Sequence, residues 1–368
     1  MKESLHILFS GGGTLGPVTP LLAVAEVWRE MLGKEDLSSK VEDVEFSWVG
    51  TKRGPERALI EAARIPFYTL HAPKLDRHRW WRWPAIPFLL LWSMWRSWRI
   101  LRALEPDVVM SAGGYVSVPL VIVARVMGMK VWIHQLDRVP GIANRVMAPF
   151  ANRISVTLDE SLESFSEKKR LDVGGVVRPQ IWQGDIAKAR ERFNLPKKDD
   201  RLTVLLFGGG TGADSLNKMI SVVGSDLSRK VDIIHLTGKG KMREEYEKIS
   251  DRYVALEFLG AGMADAFALA DIVIGRAGMG TIMELAALKK PSIIIPLHNT
   301  DQLGNAQLLA ERDAAKVLQQ INPQIFKQEV ESFVADDEMR RAYSRRMGML
   351  FSPRGAEKIV VELMRLLS

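Results

Sequence analysis

The sequence predicts an α/β protein of two domains, each built on a parallel sheet. Three observations carry this expectation. Short β-rich runs alternate with helical patterns, which favours parallel strands joined by right-handed crossovers. A G-x-G-x-x-[GA] pattern occurs twice, at Gly11, Gly13 and Gly16 and at Gly208, Gly210 and Ala213, each time after an apolar run and before a helix. The length of 368 residues suits two domains that each bury a core. Together these predict a doubled Rossmann-like architecture.

The first half opens with the strand "HILFS" and the turn "GGGTLG". A helix follows in which Val18, Leu21, Leu22, Ala25, Trp28 and Leu32 keep the 3.6-residue period of a buried stripe. The runs "VEFSWVG", "DVVMSAGG", "KVWIHQLD" and "RISVTLD" supply further strands. The second half repeats the grammar with "RLTVLLFGGGTGA", "VDIIHLTG", "DIVIGRAG" and "PSIIIPL". The polar "KKDD" marks a solvated linker and puts the boundary within Val176–Lys197. The C-terminal "GAEKIVVELMRLLS" reads as a helix that packs on either domain.

Composition removes several classes of function. There is no cysteine, so disulfides, thiolate metal sites and cysteine nucleophiles are excluded. The apolar run Leu5–Phe9 is too short for a secretory signal, and the stretch between Arg82 and Arg96 is too short to cross a membrane. A soluble or peripheral protein is expected. The net charge of +7 is uneven: His71–Arg102 holds seven Lys/Arg against Asp76 alone, and six of the ten tryptophans. Residues 80–102 therefore read either as a segment lying on an anionic membrane, or as a helix whose Leu91, Trp92 and Trp95 are core and whose arginines face solvent. Nucleic-acid binding is not expected, because the tryptophans do not track a stacking groove.

Backbone N–H groups at a helix N-terminus suit a diphosphate. A dinucleotide site also needs an acid at the end of the second strand, and "WVGTKRG" and "HLTGKGK" carry none. No G-K-[ST] is present, so a P-loop is excluded, and no cofactor is expected. A further turn, "SAGGYVSVP", belongs beside Gly11–Gly16 if switch-point geometry holds. In "GRAGMGTIMELAA", Glu284 is placed to accept from a ribose diol, or serves as an acid at a helix start. In "HNTDQLGNA", Asp301, Gln302 and Asn305 suit sugar hydroxyls, with an ordinary N-cap at Thr300 or Asp301 as the other reading. No D-x-D is present, which favours metal-independent chemistry, and no metal site is expected.

Six stretches, in this order, resemble the MurG family of glycosyltransferases, family 28. They are "SGGGTLGPVTPLLAVA", "SAGGYVSVP", "IHQLDRVPGIANR", "VGGVVR", "FGGGTGADSLN" and the pair "GRAGMGTIMEL" and "DQLGNA". The resemblance implies a GT-B fold, two Rossmann-like domains with parallel sheets facing a central cleft. It implies an acceptor- and membrane-binding domain over residues 1–177, with a helix over 353–368 returning to it, and a UDP-sugar domain over 178–352. It further implies inverting transfer of N-acetylglucosamine from UDP-GlcNAc to lipid-linked pyrophosphoryl-MurNAc-pentapeptide in peptidoglycan synthesis. The setting would be peripheral, on the cytoplasmic face of the cell membrane.

Residue roles follow from the same resemblance. Leu259 would meet uracil through its backbone, and Glu284 the ribose. Arg178, Gly210, Thr211, Met279, Gly280 and Thr281 would surround the diphosphate, and Asp301 and Gln302 the sugar. Gly13, Thr14, Gly16, Gly114, Tyr115 and Asn144 would line the acceptor site.

Three departures bear on the chemistry. Pro17 stands where the family has histidine, which removes a proton carrier and a backbone N–H. The family's H-E-Q-N reads His134, Gln135, Leu136, Asp137 here, and Gly175 and Val176 replace Asn and Pro of V-G-N-P-V-R. Another group must then take the acceptor proton. Asp137 and His134 are the candidates, because both follow "KVWI" at its C-terminal end. The other reading of Asp137 is a cap on the helix starting near Pro140. Two alternatives to the full activity stay open: a transferase of this fold with a different acceptor, and a UDP-sugar-binding homologue with impaired catalysis.

Overall fold

The structure, a computed structural model, describes residues 4–32, 43–74, 84–195, 201–209, 214–298 and 300–368. It divides into two compact units: Met1–Arg178 with Ser352–Ser368, and Pro179–Phe351.

The first unit is built on β1 (Ser4–Ser10), β2 (Asp43–Gly50), β3 (Phe67–Thr69), β4 (Val108–Ser111), β5 (Lys130–Gln135), β6 (Arg153–Val156) and β7 (Arg170–Asp172). All pair in parallel, in the order β3-β2-β1-β4-β5-β6-β7. The helices are α1 (Val18–Leu32), α2 (Glu56–Ala62), α3 (Ile86–Leu104), α4 (Ser117–Val126) and α5 (Ile142–Met147). The order reverses between β1 and β4, so the loops leaving these two strands run to opposite sides and open a crevice at their C-terminal ends. Leu8, Val109, Val131, Ile133 and Ile154 on the strands pack with Leu101 of α3 and Leu120, Val121 and Ala124 of α4. This burial makes the floor of the crevice rigid.

The second unit repeats the plan. Its strands are β8 (Thr203–Phe207), β9 (Asp232–Leu236), β10 (Tyr253–Leu256), β11 (Ile272–Gly275), β12 (Ser292–Ile294) and β13 (Lys316–Val317), in the parallel order β10-β9-β8-β11-β12-β13. The reversal falls between β8 and β11. The helices are α6 (Ile186–Arg192), α7 (Asp214–Leu227), α8 (Glu244–Glu247), α9 (Met263–Leu269), α10 (Met279–Leu288), α11 (Gln302–Glu311), α12 (Pro323–Ala335) and α13 (Asp337–Met347). Asp185, Asn322 and Asp336 cap α6, α12 and α13 by accepting backbone N–H groups of the first turn.

Four strands fall outside the apolar runs of the sequence: β3, β7, β10 and β13. They are the four sheet edges. Each is two to four residues long and mostly half-exposed. A strand covered on one side only has no continuous apolar run to show.

The last helix, α14 (Gly355–Leu367), belongs to the first unit and packs against α1 through a face that includes Ile359, Val360 and Leu363. Its entry is stitched to the end of the first sheet. Gly175 N–H donates to Ser352 O at 2.8 Å, and Gly355 N–H to Gly175 O at 2.8 Å. A Cβ on Gly355 would lie 2.6 Å from that same carbonyl, so the close approach needs glycine there.

Candidate active site

In the first unit the two glycine turns meet at the switch point. Gly114, at φ +94°, lies so close to the first turn that a Cβ would stand 3.0 Å from Gly12 O. Gly13, at φ +86°, faces the Tyr115 ring, which a Cβ would approach to 3.1 Å. Ser10 Oγ donates to Ser117 Oγ at 2.9 Å, and Ser117 Oγ to Gly113 O at 3.2 Å, joining β1 to the start of α4. Gly13, Gly114 and Tyr115 are thus gathered at the C-terminal ends of the central strands β1 and β4, and Thr14 and Gly16 continue the first turn.

The first turn also has an occupant that motif reading missed. Glu56, the first residue of α2, is fully buried. Its Oε2 accepts from Gly13 N–H at 3.2 Å, and its Oε1 accepts from Thr51 N–H at 2.7 Å and from the Thr51 hydroxyl. A Cβ on Gly12 would lie 2.2 Å from Glu56 Oε1. The middle glycine of the triplet is required by this carboxylate rather than by its own backbone angles. Burial pushes the Tyr115 hydroxyl pKa up, and the Glu56 charge adds to the shift. The available signal was an acid beside two glycines in "GTKRGPE", with no motif attached.

After β5 the two candidate bases part company. His134 is fully buried, its Nδ1 paired with Ser155 Oγ at 2.9 Å and its Nε2 with Thr157 Oγ1 at 3.3 Å. Desolvation pulls its pKa down to about 3. The ring fastens β5 to β6 and presents no nitrogen to the crevice. Asp137 is half-buried in the loop beyond. A relay holds that loop. Gln135 Nε2 donates to Asp137 O at 2.7 Å, Gln135 Oε1 accepts from Asn144 Nδ2 at 2.6 Å, and Asn144 Oδ1 faces the Gly113 turn. Gln135, which replaces the family's glutamate, supplies a donor that a carboxylate lacks. The N-cap of α5 is Gly141, with no side-chain hydrogen bond to its first turn.

In the second unit the loops after β11 and β12 converge. α10 starts at Met279 behind Gly278, with no side-chain cap, and a Cβ on Gly278 would meet nothing within 4 Å. Its first N–H groups have no acceptor within the helix. Gly280, Thr281 and the half-buried Glu284 continue this turn. Arg276, nearly buried, holds the loops together: it donates to Ile295 O at 3.0 Å, to Pro296 O at 3.3 Å and to Ser215 Oγ at the start of α7. Burial pushes its guanidinium pKa down. Asn305 Nδ2 donates to Ala277 O at 3.0 Å, and Gln302 Oε1 accepts from Leu297 N–H at 3.0 Å. Asp301 is exposed at the N-cap of α11 without capping it. Leu259 follows β10, where its carbonyl accepts from Gly262 N–H at 3.0 Å. Gly210 and Thr211 lie outside the described residues.

Arg178 falls in the first unit, where its guanidinium grips both carboxylate oxygens of Glu26 on α1. Among the described residues no three His, Asp or Glu side chains are grouped to hold a metal ion, and no helix is long and apolar enough to cross a membrane.

α3 carries an unusual surface. It buries Ser93, Ser97 and Leu101, and exposes Phe88, Leu91, Trp92, Trp95 and Trp98. Leu91 is 65% exposed, Trp92 46% and Trp95 49%, so these are not core. Arg96, Arg99 and Arg102 each stack over the tryptophan four residues earlier, 5.2–5.7 Å from the ring centroid. Residues 80–83 of the basic segment lie outside the described residues.

Two parallel-sheet α/β domains with polar groups collected at their switch points are the architecture of the GT-B glycosyltransferases. The fold is similar to that of Acinetobacter baumannii MurG, with a TM-score of 0.72 and 25% identity over 98% of this chain and 99% of that one. It also resembles S. aureus MnaA solved with UDP, at a TM-score of 0.68 and 13% identity, a likeness of fold alone. Residues 7–156 match the glycosyltransferase family 28 N-terminal domain, and residues 203–354 the family 28 C-terminal domain. The chain belongs to glycosyltransferase family 28. It is 33% identical to the UDP-N-acetylglucosamine–N-acetylmuramyl-(pentapeptide) pyrophosphoryl-undecaprenol N-acetylglucosamine transferase 2 of Bacillus anthracis, over 85% of this chain and 86% of the relative. It is 31% identical to the transferase of that name from Clostridium perfringens, over 97% of both.

Proposed function

We propose that this chain transfers N-acetylglucosamine from UDP-GlcNAc to undecaprenyl-pyrophosphoryl-MurNAc-pentapeptide. The observation that carries the reading is full-length similarity to transferases named for that reaction, at 31% identity over 97% of the chain. The second unit binds the donor. Glu284 accepts from the ribose hydroxyls, the N-terminus of α10 at Met279, Gly280 and Thr281 receives the diphosphate with Gly210 and Thr211, Leu259 meets the uracil, and Asp301 and Gln302 meet the sugar. The first unit binds the acceptor through Thr14, Gly16, Gly114, Tyr115 and Asn144.

The reaction is one in-line displacement with inversion. The acceptor hydroxyl oxygen bonds to the anomeric carbon as that carbon's bond to the UDP oxygen breaks, and UDP leaves with the electron pair. The hydroxyl proton goes to Asp137, an acceptor-only group when ionised. Burial of His134 supports Asp137 over His134 as the base. Helix α10 stabilises the charge on departing UDP. Since Glu26 already engages Arg178, a direct role for Arg178 at the diphosphate requires exchange of that ion pair.

The protein acts peripherally, on the cytoplasmic face of the cell membrane, and the exposed face of α3 supports the membrane contact. Exposed tryptophans suit the headgroup level, and arginines suit anionic lipid.

The test is incubation of the protein with labelled UDP-GlcNAc and lipid-linked MurNAc-pentapeptide, with the product identified by mass. A gain of one N-acetylhexosamine is expected. The exchanges at Pro17, Gln135 and Asp137 favour one second reading, a transferase of this fold with another acceptor. UDP release without that product, restored by a different lipid-linked sugar, would select it.

A further inference from the structure

The turn Thr51–Glu56 after β2 carries two exposed cations, Lys52 and Arg53, that the assignments above leave unused. We propose that Lys52 and Arg53 form the cationic part of the acceptor-side diphosphate subsite, in place of the Gly13 amide. The inference rests on the reading that the first unit takes a diphosphate-linked acceptor.

Two amides of the first glycine turn, and the first two of α1, are committed within the protein. Gly11 N–H donates to Val49 O at 3.3 Å, Gly13 N–H to Glu56 Oε2 at 3.2 Å, and Val18 and Thr19 N–H both to Leu15 O. Pro17 has no N–H to offer. Glu56 thus takes the Gly13 amide that a ligand anion could otherwise meet. A second anion at Gly13 would place like charge beside a buried carboxylate and take the donor from its Oε2, which is costly.

The same carboxylate decides where cations stand. Glu56 Oε1 takes Thr51 N–H at 2.7 Å, and a Cβ on Gly54 would lie 1.8 Å from Oε2, so the chain wraps tightly around the carboxyl group. Lys52 and Arg53 are the outer residues of that wrap. One carboxylate bridges Thr51 and Gly13, so both cations start within two residues of a point one carboxyl group away from the first turn. The Arg53 guanidinium can engage phosphate oxygens in pairs, and Lys52 acts as a point charge.

The experiment titrates inorganic pyrophosphate by calorimetry into the full chain saturated with UDP, which fills the second unit's site. Saturable binding is expected, weakened about tenfold or more in Lys52→Gln/Arg53→Gln, as loss of charge-assisted hydrogen bonds predicts. With lipid-linked acceptor the same variant should raise the acceptor KM while kcat and the UDP-GlcNAc KM hold. Hydrogen exchange at Gly13 N–H should be slow in the free protein and unchanged by pyrophosphate. Equal pyrophosphate affinity in both proteins, no saturable binding to the unmodified chain, or protection of Gly13 only on adding pyrophosphate would each overturn the proposal. Because the titration involves no turnover, failure to use the lipid-linked acceptor shows separately.

Discussion

Arg178 and Glu26 are 152 residues apart and meet in a bidentate pair, with Arg178 Nε 3.0 and 3.1 Å from the two carboxylate oxygens. Both side chains are mostly shielded from solvent. The pair ties the segment leaving the first unit to α1, the helix that α14 also covers. Removing one partner leaves a charge in a partly desolvated place. Glu26→Gln should therefore lower stability by about 1–3 kcal/mol. An unchanged urea midpoint would show that the pair holds nothing together.

Asp137→Asn tests the base. It keeps the shape of the loop and the carbonyl that Gln135 and Ser161 grip. Turnover should fall by roughly 10²–10⁴-fold. Affinity for UDP-GlcNAc should not move, since Asp137 sits in the other unit from the donor residues. Full turnover in the folded variant would eliminate Asp137.

Glu284→Ala tests the donor site. A carboxylate accepting from a ribose diol contributes about 1.5–3 kcal/mol, so UDP affinity should drop roughly tenfold to a hundredfold. Calorimetry that finds equal affinity in the folded variant would remove Glu284 from the ribose.

The tryptophan–arginine face of α3 predicts binding to anionic vesicles. Replacing Arg96, Arg99 and Arg102 by Gln removes three charges, each contributing about 1 kcal/mol near such a surface. Co-sedimentation with anionic liposomes should weaken at least about tenfold, and the loss should shrink at high salt. Identical sedimentation of both proteins would end the electrostatic account.

Acid should weaken both units. His134 and His235 are buried neutral, with pKa values drawn down by desolvation to about 3 and about 4. The unfolded chain then binds more protons than the folded one below pH ~6.5, so stability falls as pH falls. The contribution is complete above the unfolded value and is lost as pH drops toward the folded values. At pH 5 each histidine costs about 2 kcal/mol. His235 is held by Tyr253 OH at 2.6 Å and Asn217 Oδ1 at 3.0 Å, and His235→Gln should flatten the second unit's share of the pH dependence. Denaturant midpoints measured between pH 4 and 7 decide this.

Local pattern was enough for the central strands, the glycine turns of the first unit, and the concentration of arginines and tryptophans that α3 carries. Each depends on neighbours within a turn or two of chain, and spacing records them. The edge strands β3, β7, β10 and β13 were hidden because half-covered backbone leaves no apolar period. The burial of His134 was hidden because a histidine one residue inside a strand end and one just beyond it look alike in sequence. Glu56 reaches Gly13 across 43 residues and Arg178 reaches Glu26 across 152, distances that only the strand order closes. Sequence alone determined two parallel-sheet α/β domains and their central strands. Tertiary structure decided which charges the motifs keep for a ligand and which they spend on each other. The reason is that hydrogen-bond partners are set by sheet topology, and periodicity does not encode it.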